Sequence, residues 1–519
     1  MTTENSIDAR QQEHQTIQWC LLSHTNIGKT SLARTLLTDD VGQIQDAAHI
    51  TNQSQRHLLQ HTDQGDALWL WDTPGFGDSA RLYHRLQQQR HPLGWFLSHV
   101  WDRWRDKPFY MSQRALLAAR DHADIVLYLV NAVEDPADAG YWTAEMRILQ
   151  WMGKPVLVLL NQIGSDATAQ QITHDLQRWR TATQVFADIV QSVQVLDAFT
   201  RSWWHERQLM ESVTPLLPVV KQAAYQRLLQ SRSQQQQTRE TCSLAALAAQ
   251  LVHAATLQES AGADQMGRWQ RTWSKVSNTV VQTVRGKTGD SQPMPASQMA
   301  AMQRLAQALQ QSDVASTQAL LQLHSLDGEA ASEIQQQLEA QLDINTPLNP
   351  HAAGLWGALS AGAASGLGAD MLAGGMTLGT GALVGALVGA IAFAGAAWGT
   401  NKMLDQTAPQ LRLSPDYLTA LASQLLLKYL VISHFGRGRG RYSSPGAPRP
   451  WVDAVQTAVQ SHSQQWQQQW KALAAIPHGT AGTETAPQQT IQTLLDACLQ
   501  QALRTLYPDL HHTPASDTQ

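Results

Sequence analysis

The residues best placed to do chemistry lie in "LLSHTNIGKTSLART", Leu21 to Thr35. The stretch ends in Gly28-Lys29-Thr30, the close of the phosphate-binding pattern G-x-x-x-x-G-K-[ST], with Ser23 where the pattern has its first glycine. Ser23, Thr25, Asn26, Ile27, Gly28, Lys29, Thr30 and Ser31 form the candidate nucleotide-binding loop. In such a loop, backbone N–H groups at a helix start surround the phosphates, Lys29 neutralises the β/γ charge and the Thr30 hydroxyl binds Mg²⁺. Ser23 sits where a strand turns, so a small residue substitutes there at modest strain. Gly28 is harder to replace, because backbone must pass close to phosphate. Forty-two residues after Thr30, at the end of a strong strand, stands Asp72-Thr73-Pro74-Gly75. An acid at that place holds Mg²⁺ through water and the glycine N–H senses the γ-phosphate.

These residues need a sheet to hold them. "TIQWCLL" (16–22), "ALWLWDT" (67–73), "DIVLYLVNA" (124–132) and "PVLVLLNQ" (155–162) are β-rich runs, with "RHLLQHT" (56–62) as an edge strand and a further parallel strand near 185–196. Strands alternating with helical patterns predict a mostly parallel sheet with flanking helices, an α/β P-loop NTPase domain over 16–212 after a tail at 1–15. From about Val213 the chain turns to Gln, Ala and Leu at helical spacing, which predicts an all-α region: a helical domain to 350, a Gly/Ala-rich helical hairpin over 351–400, further helices over 401–506 and a tail from 507.

"N-x-G-K-T-S-L" followed by "W-D-T-P-G-F-G-D" resembles the TrmE–Era branch of translation-factor-like GTPases over roughly residues 16–200. The whole chain resembles a bacterial family that joins this GTPase domain to a C-terminal domain of unknown function with a glycine-rich segment. The resemblance implies GTP and GDP as ligands and Mg²⁺ as cofactor, held by Thr30, Thr51 and Asp72, with Lys29, Thr51, Asp72 and Gly75 as the catalytic set. Thr38 and Thr62 are alternatives to Thr51 as the switch-one threonine. Asn26 stands where related enzymes hold K⁺ beside the phosphates, or is a plain turn asparagine. Phe76 follows D-x-x-G, where Ras-like proteins place a water-orienting Gln; a phenyl ring cannot orient water by hydrogen bonding. Hydrolysis then needs K⁺, a partner group or self-association, unless Phe76 merely packs under the switch. The base-recognition motif N-K-x-D has become Asn161-Gln162-Ile163-Gly164: Asn161 and Gln162 remain base-side candidates, the aspartate is lost, and Asp166 lies two residues late. "LDAFTRS" (196–202) is the nearest equivalent of the S-A-K loop.

Two other segments invite function. "HPLGWFLSHVWDRWRDKPFY" (91–110) puts six aromatic rings among His, Arg and Lys, either an interfacial surface coupled to switch two or packing between the GTPase and helical domains. Between Ala352 and Thr400 the only charged residue is Asp370. As helix this run is long enough for two passes of a roughly 30 Å hydrocarbon core, and Gly381, Gly385 and Gly389 form a smooth stripe for close packing. Membrane contact through 352–400, a packed hairpin in water and self-association all fit. Arg437, Arg439 and Arg441 make a cationic loop for lipid headgroups, phosphate or RNA.

The net charge of −5 argues against nucleic acid as the main partner, which sets an RNA- or ribosome-associated GTPase second, beside a low-turnover nucleotide-binding scaffold. Three scattered cysteines fit a reducing compartment. With no apolar signal in the first fifteen residues, the sequence predicts a cytoplasmic protein at the inner face of the cell membrane.

Overall fold

The computed structural model describes residues 16–37, 54–98, 107–163, 167–198, 202–260, 296–326, 391–394, 410–435, 448–475 and 485–507. The chain divides into two compact units, Met1–Arg239 with Ser433–Tyr442, and Glu240–Ile432 with Ser443–Gln519.

The first unit is built on a six-stranded sheet. Its elements are β1 (Thr16–Ser23), α1 (Lys29–Leu37), β2 (Gln55–His61), β3 (Ala67–Asp72), α2 (Ser79–Gln87), α3 (Pro92–Ser98), α4 (Lys107–His122), β4 (Ile125–Asn131), α5 (Trp142–Met152), β5 (Val156–Asn161), α6 (Ala169–Thr183), β6 (Val190–Val195), α7 (Trp203–Val213) and the start of α8 (Val219–Thr256). The strand order is β2-β3-β1-β4-β5-β6. All neighbours pair in parallel except the edge strand β2, which runs antiparallel to β3. The expected α/β domain with a mostly parallel sheet is the architecture found.

Successive side chains of a strand point to opposite faces, and here both faces are covered. Cys20, Leu22, Val126, Tyr128, Val130, Val158 and Leu160 face one core, closed by Leu82 and Leu86 of α2, Leu116 of α4 and Met146 and Leu149 of α5. Ile17, Trp19, Leu21, Leu127, Leu129, Leu157 and Leu159 face the other, closed by Leu32 and Leu36 of α1, Leu209 and Val213 of α7 and Tyr225 and Leu228 of α8. Hence β5 is buried along its whole length. The aromatic stretch before β4 serves the first of these cores. Phe96 and Phe109 are fully buried there with Trp95 and Tyr110 packed alongside, so the rings fill the interior of their own unit. Trp101 and Trp104 lie outside the described residues.

The second unit is mostly helical, as expected: the rest of α8, then α9 (Ala296–Leu323), α10 (Pro415–Ser433, to Ile432), α11 (Arg449–Ser461), α12 (Ser463–Ala474) and α13 (Thr485–Leu506). The Gln- and Ala-rich helices α8 and α9 bury Leu247, Leu251, Leu305 and Leu320. A polar tie joins three helices: buried Lys428 donates to Asp313 Oδ1 (2.7 Å) and Ser316 Oγ (3.1 Å), and Ser316 donates to Gln250 Oε1 (2.6 Å).

One expectation needs correction. Within the run that the sequence predicts as a helical hairpin over 351–400, β8 (Ile391–Ala394) is a strand, paired antiparallel with β9 (Gln410–Leu413), which also pairs with β7 (Glu259–Ser260). Its residues "IAFA" alternate a large apolar side chain with alanine, and that period of two suits a strand beside β9. The rest of 352–400 and the arginine loop at 437–441 lie outside the described residues. Among the described residues no helix is long and apolar enough to cross a membrane.

Candidate functional site

The candidate site lies where β1, β3, β5 and β6 end together, the edge at which open parallel sheets bind ligands. β1 ends at Ser23 and α1 begins at Lys29, so the loop between them runs from strand to helix start. Ser23 lies on the strand with no left-handed backbone demand, which explains why glycine is not required there. Its hydroxyl accepts from Lys29 Nζ at 2.8 Å. The left-handed turn falls instead on Asn26 (φ 65°) and Gly28 (φ 95°). A Cβ on Gly28 would come within 2.8 Å of Asn161 Nδ2, so both backbone and space demand glycine.

Lys29 is buried, and Nζ also donates to the His24 carbonyl at 3.4 Å. Burial pulls its ammonium down to about 8, against the opposing pull of Asp72 and Glu145. Thr30 Oγ1 donates to Asp72 Oδ2 at 2.7 Å across the β1–β3 strand ends. The other oxygen, Asp72 Oδ1, is buried without a hydrogen-bond partner. Desolvation raises the Asp72 carboxyl above its usual range, with Thr30 and Lys29 working the other way. An orphaned carboxylate oxygen beside a hydroxyl is a hard-oxygen donor pair suited to Mg²⁺, which takes few protein ligands and completes its shell with water and phosphate. Among the described residues no cluster of three or more His, Cys, Asp or Glu forms an alternative metal site. Gly75 packs on the loop, since a Cβ there would lie 2.8 Å from Thr25 Cα and 3.1 Å from Lys29 Nζ. Phe76 is fully buried and its N–H donates to the Ser23 carbonyl at 2.9 Å. It packs beneath the segment.

At the base end Asn161 is fully buried and braces two loops, donating Nδ2–H to the Ile27 carbonyl (2.8 Å) and accepting from Ala198 N–H (2.8 Å). Gln162 is left-handed (φ 60°), with Nε2 3.8 Å from the Cβ position of Gly28. Thr62 lies in the β2–β3 turn, bonded to Asp66, away from the phosphate loop. Thr51, Thr38, Gly164 and Asp166 lie outside the described residues, and Ser31 opens α1 beside Thr30.

Sequence reasoning missed Glu145. This fully buried carboxylate accepts from Tyr128 OH (2.5 Å), lies 2.7 Å from His24 Nδ1 and takes the Ser79 hydroxyl. It therefore ties the phosphate loop to the first turn of α2, just beyond Gly75. Tyr141 stacks on His24 with ring centroids 4.3 Å apart. Burial, then the Glu145 charge, pushes the Tyr128 phenol far above its usual range. The available signal was an acid among apolar residues in "TAEMRILQWM".

The sequence profile of the domain of unknown function DUF3482 matches residues 187–499, more than half of the chain. The chain belongs to the DUF3482 family. Ahead of that region, the profile described as 50S ribosome-binding GTPase matches residues 19–162 of this DUF3482 protein, which hold the P-loop GTPase domain. No curated protein matched. Solved structures with likeness include Era in complex with MgGDPNP and a segment of 16S ribosomal RNA, at 15% identity and TM-score 0.29 over 39% of this chain and 57% of that chain. An Aquifex aeolicus Era variant bound to GDP and AlF4− has 16% identity and TM-score 0.28 over 39% and 57%. A probable GTP-binding protein, engB, has 11% identity and TM-score 0.22 over 38% and 97%. The DUF3482 protein thus spans 57% of the length of the Era chains.

Proposed function

We propose that the protein hydrolyses GTP to GDP and phosphate at this site, with Mg²⁺, and that the nucleotide state is passed to its helical region. The carrying observation is the Thr30–Asp72 pair, 2.7 Å apart, with an unpartnered carboxylate oxygen beside buried Lys29. In the reading, water attacks the γ-phosphate in line with the leaving oxygen. Lys29 stabilises the charge that develops, and the Gly75 N–H meets the γ-phosphate. Thr30, Asp72 and, from the resemblance, Thr51 would hold Mg²⁺, which would supply neutralisation of the phosphate charge. Buried Phe76 leaves water positioning to another group, supplied by a partner or by self-association, and Asn26 would hold K⁺, which would add positive charge beside the phosphates. The Glu145 link between His24 and Ser79 joins the phosphate loop to the start of α2, the route by which a change at the phosphates would reach that helix.

The test is competition for labelled GDP together with turnover in Mg²⁺ with K⁺ or Na⁺. GTP is expected to displace the label at concentrations where ATP does not, and turnover to be faster in K⁺. Preference for ATP would sink the assignment. No turnover in either salt, with GTP still bound, would leave a nucleotide-binding scaffold. Membrane contact through 352–400 belongs to the same reading, supported by the composition of that run and placing the protein at the inner face of the membrane. Flotation with vesicles is expected to be stronger with a GTP analogue than with GDP, and equal flotation would count against the coupling.

A further inference from the structure

Between α5 and α6 the first unit leaves a cleft of about 560 Å³, a volume that suits a small organic molecule. None of its lining residues belongs to the phosphate loop, to Asp72–Gly75 or to Asn161–Gln162. On α6, His174, Gln177, Arg178 and Thr181 line it from the i, i+3, i+4 and i+7 positions of one helix face. That face carries no large apolar side chain to press into the groove beside α5, so the groove stays open. Its floor is apolar: Trp142 and Phe186, each 3% exposed, meet edge-on with ring centroids 6.0 Å apart. Val185 also lines the cleft and is exposed.

Two arginines line the cleft, and their charges are spent differently. Arg178 is held by acids, with Nη2 2.8 Å from Asp175 Oδ1 and Nη1 3.5 Å from Asp135 Oδ2. Arg147 forms no ion pair among the described residues. Its Nη1 donates to the neutral Gln150 Oε1 at 2.8 Å, and its guanidinium lies over the Phe186 ring, Cζ 5.2 Å from the centroid. Stacking uses the flat face of a guanidinium, while its five N–H groups lie in the plane. One of the five is engaged by Gln150, so the edge keeps donors for an anion. A planar cation without a counter-charge beside a floor of aromatic rings is the complement of a molecule that joins an apolar body to one acidic group.

We propose that this cleft is a binding site for a small amphipathic anion, its ring-bearing apolar body lying against Trp142 and Phe186 and its carboxylate, sulfonate or phosphate group meeting Arg147. The inference does not rest on the GTP reading above.

The experiment measures binding of two dyes to the full-length protein by fluorescence: anilinonaphthalene sulfonate, which has this chemistry, and phenylnaphthylamine, which has the same rings without the charge. Three variants are compared with the native chain. Arg147→Met keeps an unbranched side chain over Phe186 and removes the cation. Ala182→Phe adds a ring to the cleft lining. Arg207→Met removes an exposed arginine of α7 that pairs with Glu211. The native protein is expected to bind one sulfonate per chain, with excess GDP leaving it in place. Arg147→Met is expected to weaken the sulfonate about tenfold, the scale of one hydrogen-bonded charge contact, and to leave the neutral dye unchanged. Ala182→Phe should exclude both dyes, and Arg207→Met should affect neither. If Ala182→Phe fails to fold, the two dyes on Arg147→Met decide the matter alone. No saturable sulfonate binding, undiminished binding by Arg147→Met, an equal loss in Arg207→Met, or displacement by GDP would each overturn the inference.

Discussion

Lys29→Ala is expected to weaken nucleotide binding by about 100-fold or more, while leaving thermal stability unchanged or slightly raised. The two effects part company because the ammonium is costly to the empty fold and valuable to the filled one. In the free protein it is buried and held by neutral oxygens, Ser23 Oγ at 2.8 Å and the His24 carbonyl at 3.4 Å. That environment is poorer than water, which is why burial brings it to about 8 from 10.5. Phosphate oxygens supply the missing counter-charge, and a donor aimed at developing charge in a dry site is worth about 10²–10³ in rate. The same reasoning gives a pH dependence. Above pH of about 8 the empty site loses its proton, so nucleotide affinity should fall by up to about tenfold per pH unit. For stability the sign is opposite. Between about 8 and 10.5 the native lysine has released its proton while the unfolded one retains it. The unfolded state therefore binds more protons, and this group's contribution to stability rises with pH across that window. Fluorescence titrations and melts at pH 7, 8 and 9 read both slopes, and Lys29→Ala should flatten both. A variant that bound nucleotide normally would remove Lys29 from the site.

What could be read in advance followed from short-range regularities. The runs that became β4 and β5 are apolar at nearly every position because both faces of a parallel sheet are covered. Lys29, Thr30 and Asp72 were legible because their spacing encodes a strand end opening a helix, next to a second strand end. Partners that depend on packing between distant elements were not. Glu145 meets His24 from 121 residues away, and Asp197 meets Ile163 from 34, and neither pairing leaves a local pattern. The aromatic stretch at 91–110 misled for a related reason. A ring among cations looks the same in sequence whether it faces an interface or, like Phe109 beneath Arg81 and Arg85, a core capped by guanidinium groups. In the glycine-rich run, uncharged small residues fit helix and strand alike. At Ile391–Ala394 it was the partner strand at Gln410–Leu413 that decided.

Asn161→Ala is expected to be among the most damaging single changes in the first unit, because its effect does not depend on nucleotide. Both polar atoms of the buried amide end on backbone groups, the Ile27 carbonyl and the Ala198 N–H, each at 2.8 Å. Alanine orphans both. An unsatisfied buried backbone group costs about 1–3 kcal/mol, so the pair amounts to roughly 2–6 kcal/mol before any cavity. That is a large part of the roughly 5–15 kcal/mol that holds a domain folded. Nucleotide affinity should fall as well, since Ile27 leads into left-handed Gly28 and loses the brace that fixes the loop. Asn161→Asp separates the two bonds. Its carboxylate still accepts from Ala198 but faces the Ile27 carbonyl with no donor, so the 196–198 loop stays placed while the phosphate loop is repelled. The expected order of melting midpoints, native above Asp above Ala, should therefore not be the order of affinities: Asp is expected to bind nucleotide as poorly as Ala or worse. Identical behaviour of the two variants in both measurements would mean that Asn161 acts as a space-filling group and not as the brace between the loops.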